Sequence, residues 1–208
     1  MKKYLNFILA GILVVVLVGI MVLIKNGGIV DFDDGVYNLV TRNTSTFLDN
    51  MYKVFTFLAS TAYVIVACLA ILVICILKKK KEIGFVIVGS VAISTIVNNV
   101  IKLIFRRPRP EVRRLVVEKS FSFPSGHTMA AVTLYGILIF FVMKSKLNKG
   151  LKIAISIILG LLPICVAISR IYLGAHFASD VTGAAITSTA LLLVEVYFIN
   201  KNYDKIVK

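Results

Sequence analysis

The chain has 208 residues, of which 59% are hydrophobic and 16% are charged, and its mean hydropathy is +0.93. These values lie outside the range of soluble globular domains and indicate an integral membrane protein. The net charge of +14 does not indicate nucleic-acid binding, because more than half of the basic residues flank apolar segments, where they determine membrane topology. No repeat or long linker divides the chain, so we expect one domain over residues 1–208.

Six apolar segments are long enough to cross a bilayer, which takes about 20 residues per helix. They cover roughly residues 4–24, 55–77, 83–104, 127–143, 151–168 and 180–199. The first has the basic start of a signal peptide, but it is too long and lacks a small-residue cleavage pattern, so we expect an uncleaved helix. The sequence predicts an all-α membrane protein with six transmembrane helices in one bundle.

Two parts of this pattern carry polar residues. The third segment contains Ser94, Thr95, Asn98 and Asn99, which we expect to face protein or water and not lipid. Between the first two segments, the stretch of about 31–54 places four apolar residues at helical spacing: Phe32, Val36, Leu39 and Val40. This spacing predicts an amphipathic helix on the external membrane surface, with a plain loop as the alternative.

The distribution of Lys and Arg predicts the orientation. With the N-terminus inside, short cytoplasmic segments carry most of the flanking lysines, and both termini are cytoplasmic. The external loop 105–126 is an exception, because it carries six basic residues: Arg106, Arg107, Arg109, Arg113, Arg114 and Lys119. A basic loop on the external side requires another explanation, such as binding of an anion.

Three polar clusters lie at the ends of predicted spans, and the topology brings all three to the external side. They are KLIFRRPRP at 102–110, FPSGHT at 123–128 and SRIYLGAHFASD at 169–180. Taken singly, each has an ordinary interpretation as a lipid-headgroup contact or a helix start. Their shared location favours a common site.

The clusters contain the groups that bind a phosphate without a metal. Lys102, Arg109 and Arg170 supply positive charge, and the planar guanidinium suits phosphate oxygens. The backbone N–H groups of Ser125, Gly126 and His127 at a helix start, together with the Ser125 hydroxyl, add donors for an anion. No cluster of Asp, Glu, His or Cys has the spacing of a metal site.

The two histidines of the chain suit phosphoryl transfer. His176 and Asp180 are four residues apart, so on a helix they share a face, and a carboxylate on one ring nitrogen leaves the other free to attack. His127 is then available as a general acid for the leaving oxygen at neutral pH. The expected chemistry is transfer of a phosphoryl group through a histidine.

The three clusters resemble the signature motifs of the type 2 phosphatidic acid phosphatase superfamily, which cover residues 102–180 in the right order. The resemblance implies a metal-independent phosphatase without a cofactor. His176 would form a phosphohistidine, Asp180 would orient it and His127 would protonate the leaving group. The phosphoryl oxygens would be held by five residues: Lys102, Arg109, Ser125, Gly126 and Arg170.

The resemblance also implies a lipid substrate, since a site at the membrane surface leaves the lipid tail in the bilayer. Candidates are undecaprenyl diphosphate, phosphatidylglycerol phosphate, phosphatidic acid and diacylglycerol pyrophosphate in a bacterial cell membrane. Among these, undecaprenyl diphosphate is favoured if the additional arginines of the 105–126 loop contact a second phosphate, although they are equally compatible with solvated charge. A lipid phosphotransferase or a non-enzymatic transporter is the alternative, and the sequence does not specify the oligomeric state.

Overall fold

The protein is described by a computed structural model that covers residues 4–207. Within this range the secondary structure is helical, without strands. The helices are α1 (Leu5–Lys25), α2 (Val30–Val40), α3 (Thr46–Phe57), α4 (Thr61–Leu77), α5 (Lys81–Phe105), α6 (Gly126–Lys144), α7 (Lys149–Tyr172), α8 (Ala178–Lys201) and α9 (Tyr203–Val207). The expectation of an all-α protein is confirmed.

Five helices of the described range, α1, α5, α6, α7 and α8, are each long and apolar enough to cross a membrane. The predicted second span, at 55–77, corresponds to the end of α3 and to α4, which qualify only as a pair bent by 45°. The chain breaks there because Ser60 starts a new helix by accepting a hydrogen bond from the N–H of Tyr63 at 3.3 Å. The protein therefore has five candidate spans, or six with the bent pair.

Helix α6 lies at the centre of the bundle, against α5, α7 and α8, while α1 packs on α8 and α4 packs on α5. The short helices α2 and α3 cover α7 and α8. The C-terminal ends of α5 and α7 and the N-terminal ends of α6 and α8 meet at the same end of the bundle, where Arg109, after α5, contacts His176, before α8. This arrangement brings the three polar clusters together.

The polar residues of α5 divide between two environments. Ser94 and Asn98 are buried and bind neighbouring segments: Ser94 accepts a hydrogen bond from the Thr133 hydroxyl at 2.9 Å, and Asn98 donates to the Pro124 carbonyl at 3.1 Å. Thr95 and Asn99 are exposed and line a cavity between α4 and α5. Only the first pair therefore packs inside the bundle.

The segment 31–54, which is predicted to be external, forms two helices, α2 and α3, and not one continuous amphipathic helix. The chain turns at 41–45, and Ser45 begins α3 by accepting a hydrogen bond from the N–H of Leu48. Val36 and Val40 pack against a buried cluster of α7 and α8, whereas Phe32 and Leu39 are exposed. The four apolar residues therefore do not form a single buried face.

Candidate active site

His176 lies in the turn before α8 and Asp180 is the third residue of that helix, so the two do not share a helical face as expected. Phe177 precedes the helix as its cap, and the Asp180 carboxylate folds back over it. The carboxylate accepts a hydrogen bond from the Phe177 N–H at 3.0 Å and lies 3.4 Å from Nδ1 of His176. The predicted pair forms, but through a capping geometry.

The Asp180 carboxylate is fully buried and has two further partners that the sequence did not indicate. The hydroxyl of Ser122 donates to Oδ2, and the guanidinium of Arg107 donates to Oδ1 at 2.6 Å. These contacts hold the carboxylate in one orientation, because buried charges require paired donors.

The second ring nitrogen of His176 faces the basic residues. Nε2 lies 3.3 Å from a guanidinium nitrogen of Arg109, which also donates to the Ala175 carbonyl at 2.7 Å. Since arginine only donates, Nε2 is the acceptor and Nδ1 carries the proton toward Asp180. The nitrogen expected to attack phosphorus is therefore unprotonated and adjacent to an expected phosphate ligand.

The His176 imidazole is neutral at neutral pH. Burial lowers its pKa, and the charges of Arg170 and Arg109 lower it further, whereas the hydrogen bond and the charge of Asp180 raise it; the resulting pKa is about 4. A neutral imidazole has the lone pair that nucleophilic attack requires.

His127 is the second residue of α6 and lines the same cavity as His176. Its Nδ1 lies 3.9 Å from a carboxylate oxygen of Glu118, a residue of the loop after α5 that the sequence did not single out. Its side chain is 20% exposed, compared with 2% for His176. The structure therefore brings both histidines to one cavity.

Lys102 and Arg109, two of the predicted phosphate ligands, border this cavity. The ammonium of Lys102, which is buried at the end of α5, donates to the Phe121 carbonyl and to the Ser120 hydroxyl. Arg109 donates to the Ser120 carbonyl at 2.7 Å. Burial lowers the pKa of the Arg109 guanidinium.

The Pro-Ser-Gly-His turn starts α6, as expected, but one of its predicted donors is already engaged. The Ser125 N–H donates to the Asp180 carbonyl at 3.2 Å, and the Ser125 hydroxyl accepts from the N–H of Thr128 as the helix cap. Gly126 and His127 occupy the first turn, where N–H groups lack partners within the helix. A Cβ at Gly126 would lie 3.2 Å from the Asn98 amide oxygen, so a side chain there would crowd the turn.

Arg170, a predicted phosphate ligand, is almost fully buried and binds a hydroxyl and a carboxylate of the protein. One terminal nitrogen donates to the Thr56 hydroxyl at 2.6 Å, and the other donates to Glu118. Its Nε has no hydrogen-bond partner within residues 4–207. Burial raises the pKa of Glu118, but Arg170, His127 and Arg109 together lower it below its ordinary value, so this carboxylate is ionised at neutral pH.

The additional arginines of the loop do not form a second anion site. The Arg107 side chain is 11% exposed and is paired with Asp33 and Asp180, Arg113 is paired with Asp49, and Arg114 donates to the Pro110 carbonyl. Arg106 is exposed and donates to the Leu103 carbonyl. Neither solvated charge nor headgroup contact describes Arg107, because its guanidinium is consumed by two carboxylates.

The two histidines lie at the polar end of a cavity of about 690 Å³. Lys102, Arg109 and Gly126 line the same end, whereas the predicted ligands Ser125 and Arg170 are not among the lining residues. The part of the cavity between α4 and α5 is mostly apolar, although Thr95 and Asn99 also line it. Apolar residues of that part include Val64, Ile65, Leu69, Val88 and Val91. The cavity thus combines a basic, histidine-containing end with a mostly apolar part between α4 and α5.

The sequence model of the PAP2 superfamily matches residues 83–204. The chain belongs to this superfamily. The match confirms the resemblance drawn from the three motifs, and it spans α5 to α8, which supply both histidines and the basic residues around them. The PAP2 fold expected for such a chain is also found among solved structures.

A transmembrane PAP2-type phosphatidylglycerolphosphate phosphatase from Bacillus subtilis superposes with a TM-score of 0.83 at 26% identity, over 96% of this chain and 97% of that one. LpxE from Aquifex aeolicus gives a TM-score of 0.61 at 28% identity, over 78% and 93% of the two chains. Phosphatidylglycerophosphatase B of Bacillus subtilis is 42% identical over 115 residues, which is about half, 54%, of each chain. The protein is therefore a homologue of membrane PAP2 phosphatases.

Sequence reasoning missed the roles of five residues around the site: Asp33, Thr56, Arg107, Glu118 and Ser122. Asp33 and Thr56 come from α2 and α3, which are distant in sequence from the PAP2 motifs. Glu118 had a signal, because it is an acidic residue in a basic loop that was expected to bind an anion. Ser122 had none, since its hydroxyl acts through a contact with Asp180 that only the fold creates.

Proposed function

We propose that the protein is a membrane lipid phosphate phosphatase that forms a phosphohistidine on His176. The observation that carries this proposal is the cavity, whose polar end has both histidines with Lys102 and Arg109 and whose part between α4 and α5 is mostly apolar. A lipid phosphate has the same two parts. Its phosphate fits the basic end, and its acyl chains fit between α4 and α5.

In the first step, Nε2 of His176 attacks phosphorus and the bond to the leaving oxygen breaks. His127 donates a proton to that oxygen, so the product leaves as a neutral alcohol. Asp180, on Nδ1, stabilises the positive charge that the imidazole gains. Lys102, Arg109, Arg170, Ser125 and Gly126 are proposed to bind the phosphoryl oxygens, with Arg170 exchanging Glu118 for phosphate.

In the second step, water attacks the phosphohistidine, and His127, now neutral, accepts a proton from the water. The phosphorus–nitrogen bond breaks, which releases inorganic phosphate and regenerates neutral His176. Positive charge around the phosphoryl group stabilises both transition states, as electrostatic preorganisation does in phosphoryl transfer generally. The proposed reaction uses no metal ion and no cofactor.

For the substrate we propose phosphatidylglycerol phosphate, a lipid phosphomonoester. Two of the similar proteins are named for this activity. The preference for undecaprenyl diphosphate depended on additional arginines, and Arg107, Arg113 and Arg114 are engaged within the protein. A monoester needs no second anion site, which suits a cavity with one basic end.

The experiment is phosphate release by the purified protein in mixed micelles. Phosphatidylglycerol phosphate, phosphatidic acid and undecaprenyl diphosphate are compared at equal surface concentration, with and without a chelator. We expect the highest kcat/KM for phosphatidylglycerol phosphate and less than a twofold effect of chelator. Phospholipid product without free phosphate would instead identify a transferase, and loss of activity that magnesium restores would refute the metal-free reaction.

We further propose that the active site faces the outside of the cell and that both termini are cytoplasmic. The lysine-rich loops at 78–81 and 144–152 support this orientation. The measurement is labelling of single cysteines by a membrane-impermeant reagent in intact cells, after replacement of the three native cysteines. Val117→Cys, at a side chain that is 90% exposed, should react and Lys78→Cys should not; the reverse pattern would invert the topology.

A further inference from the structure

The helix that carries Asp180 is capped by a residue from outside its own sequence. Phe177, at the cap position of α8, has no side-chain acceptor for the free N–H groups of the first turn. Asp33 of α2 supplies one: its carboxylate accepts the Ser179 N–H at 2.7 Å and the Ser179 hydroxyl at 2.7 Å. A carboxylate at this helix end also interacts favourably with the helix dipole.

Arg107 connects this cap to Asp180. One of its terminal nitrogens binds Asp33 at 2.8 Å, and the other binds Oδ1 of Asp180 at 2.6 Å and the Ser179 hydroxyl at 2.8 Å. Its guanidinium also lies over the Phe177 ring, 3.9 Å from the ring centre. The two carboxylates are 2% and 0% exposed, so the single positive charge of one guanidinium is shared between two buried carboxylates.

We propose that Arg107 and Asp33 are positioning residues for the Asp180–His176 pair, an inference that rests on the proposed function. Neither residue lines the cavity, and their charged groups bind each other, Asp180 and Ser179, so neither is placed to touch the substrate. Both act through Asp180. Helix α2, which precedes the PAP2 match at residue 83, thereby becomes part of the structure that orients the nucleophile.

The physical reason is that the two carboxylate oxygens of Asp180 have different partners. Oδ2 faces His176, Ser122 and the Phe177 N–H, whereas Oδ1 is bound by Arg107. Without Arg107 the Asp180 carboxylate can rotate, and both Asp180 and Asp33 lose the positive charge that they share. A misplacement of about 1 Å costs on the order of 10²-fold in rate.

The test compares this ion pair with a matched one in the same loop. Arg113 and Asp49 form a pair at 2.9 Å between the 106–125 segment and α3, and the Arg113 side chain is 52% exposed. For Arg107→Gln we expect kcat to fall about 10²-fold with KM within about twofold. For the control variants Arg113→Gln and Asp49→Asn we expect both constants to stay within about twofold of wild type.

Two further variants test whether the loss of kcat comes from the bridge between the two carboxylates, from the charge of Arg107 or from a folding defect. Arg107→Lys keeps the charge but lacks the planar fork that spans two carboxylates, so its kcat should stay within about threefold of Arg107→Gln. Asp33→Asn keeps an oxygen for the Ser179 N–H, which preserves the cap, and should lower kcat about tenfold. The Asp33→Asn variant decides the question if Arg107→Gln does not fold.

A double-mutant cycle tests whether the effect passes through Asp180. In an Asp180→Asn background, Arg107→Gln should cost less than about threefold, because the carboxylate that it orients is already absent. An additive loss of about 10²-fold in that background would overturn the proposal. Full kcat in Arg107→Gln, with or without a lowered melting temperature, would also overturn it, and so would wild-type kcat in Arg107→Lys. Absence of activity in the wild-type protein would overturn the proposed function instead.

Discussion

The two histidines of the cavity have the same kinds of partners in different physical settings. His176 faces Asp180, a fully buried carboxylate that four donors hold: His176 itself, Ser122, the Phe177 N–H and Arg107. His127 faces Glu118, whose side chain is 26% exposed and lies in the loop after α5. The carboxylate beside His127 has one short partner, Arg170.

The difference between the two carboxylates matches the different roles proposed for the two histidines. A nucleophile must point one nitrogen at phosphorus, so a carboxylate with no freedom to rotate suits His176. A general acid must deliver and recover a proton, so a more accessible ring suits His127. In the proposed reaction, the loop carboxylate of Glu118 leaves Arg170 when a phosphate binds.

The largest effect is expected from removal of the proposed nucleophile. His176→Ala should lower kcat by about 10⁶-fold, to the detection limit, because nothing replaces the attacking nitrogen. Acid-quench trapping with ³²P-labelled substrate should find no phosphoenzyme. The control is His127→Ala, which keeps His176 and should still form the intermediate; a phosphoenzyme in His176→Ala would transfer the nucleophilic role elsewhere.

Removal of the proposed general acid should have a smaller effect that depends on the substrate. His127→Ala should lower kcat about 10²–10⁴-fold on a lipid alkyl phosphate, whose leaving oxygen needs a proton. Nitrophenyl phosphate has an acidic leaving group, so the loss should be much smaller. The measurement is the ratio of the two rates in wild type and variant, and an equal loss on both substrates would show that His127 only binds phosphate.

The sequence predicted most of the fold and the inner part of this site. Five spans agree with helices to within a few residues, because apolar length is a local property. The proximity of the three clusters was also predicted, since each is short and contiguous, whereas the roles of their residues stay predictions. The bend at 58–60 was not predicted, because Ser60 caps a helix inside a continuous apolar stretch.

The outer part of the site could not be predicted, because it depends on contacts between distant segments. Arg107 and Asp33 are 74 residues apart, and Thr56 and Arg170 are 114 residues apart. Net charge and spacing assign such arginines to the surface by default. Only the packing of α2 and α3 on α7 and α8 shows that Arg107 is internal.

The third prediction concerns the charge of His176. Its pKa of about 4 is below the ordinary value of 6.5, so the ring is protonated only below about pH 4 and is neutral at pH 5–8. The acid limb that this group contributes to activity should therefore appear near pH 4. Histidine NMR can measure it directly, because the chain has two histidines and His127→Ala leaves one signal; a midpoint of 6–7 would contradict the assigned environment.

The smallest effect is expected from Glu118, which binds Arg170 in the absence of substrate. If its carboxylate competes with phosphate for this guanidinium, Glu118→Gln removes a charged competitor and leaves Arg170 more available. Hydrogen bonds to charged groups contribute about 1.5–3 kcal/mol, so competitive inhibition by inorganic phosphate should tighten about tenfold or more.

The matched control is Glu111→Gln, an acidic residue of the same loop, which should leave the inhibition constant within about twofold. For Asp180→Asn we expect the opposite result: kcat should fall and inhibition by phosphate should not tighten. The reason is that the Asp180 carboxylate orients His176 and does not compete with phosphate. Weaker inhibition in Glu118→Gln would mean that Glu118 supports the basic cluster, and the contrast between a fixed and an exchangeable carboxylate would be wrong.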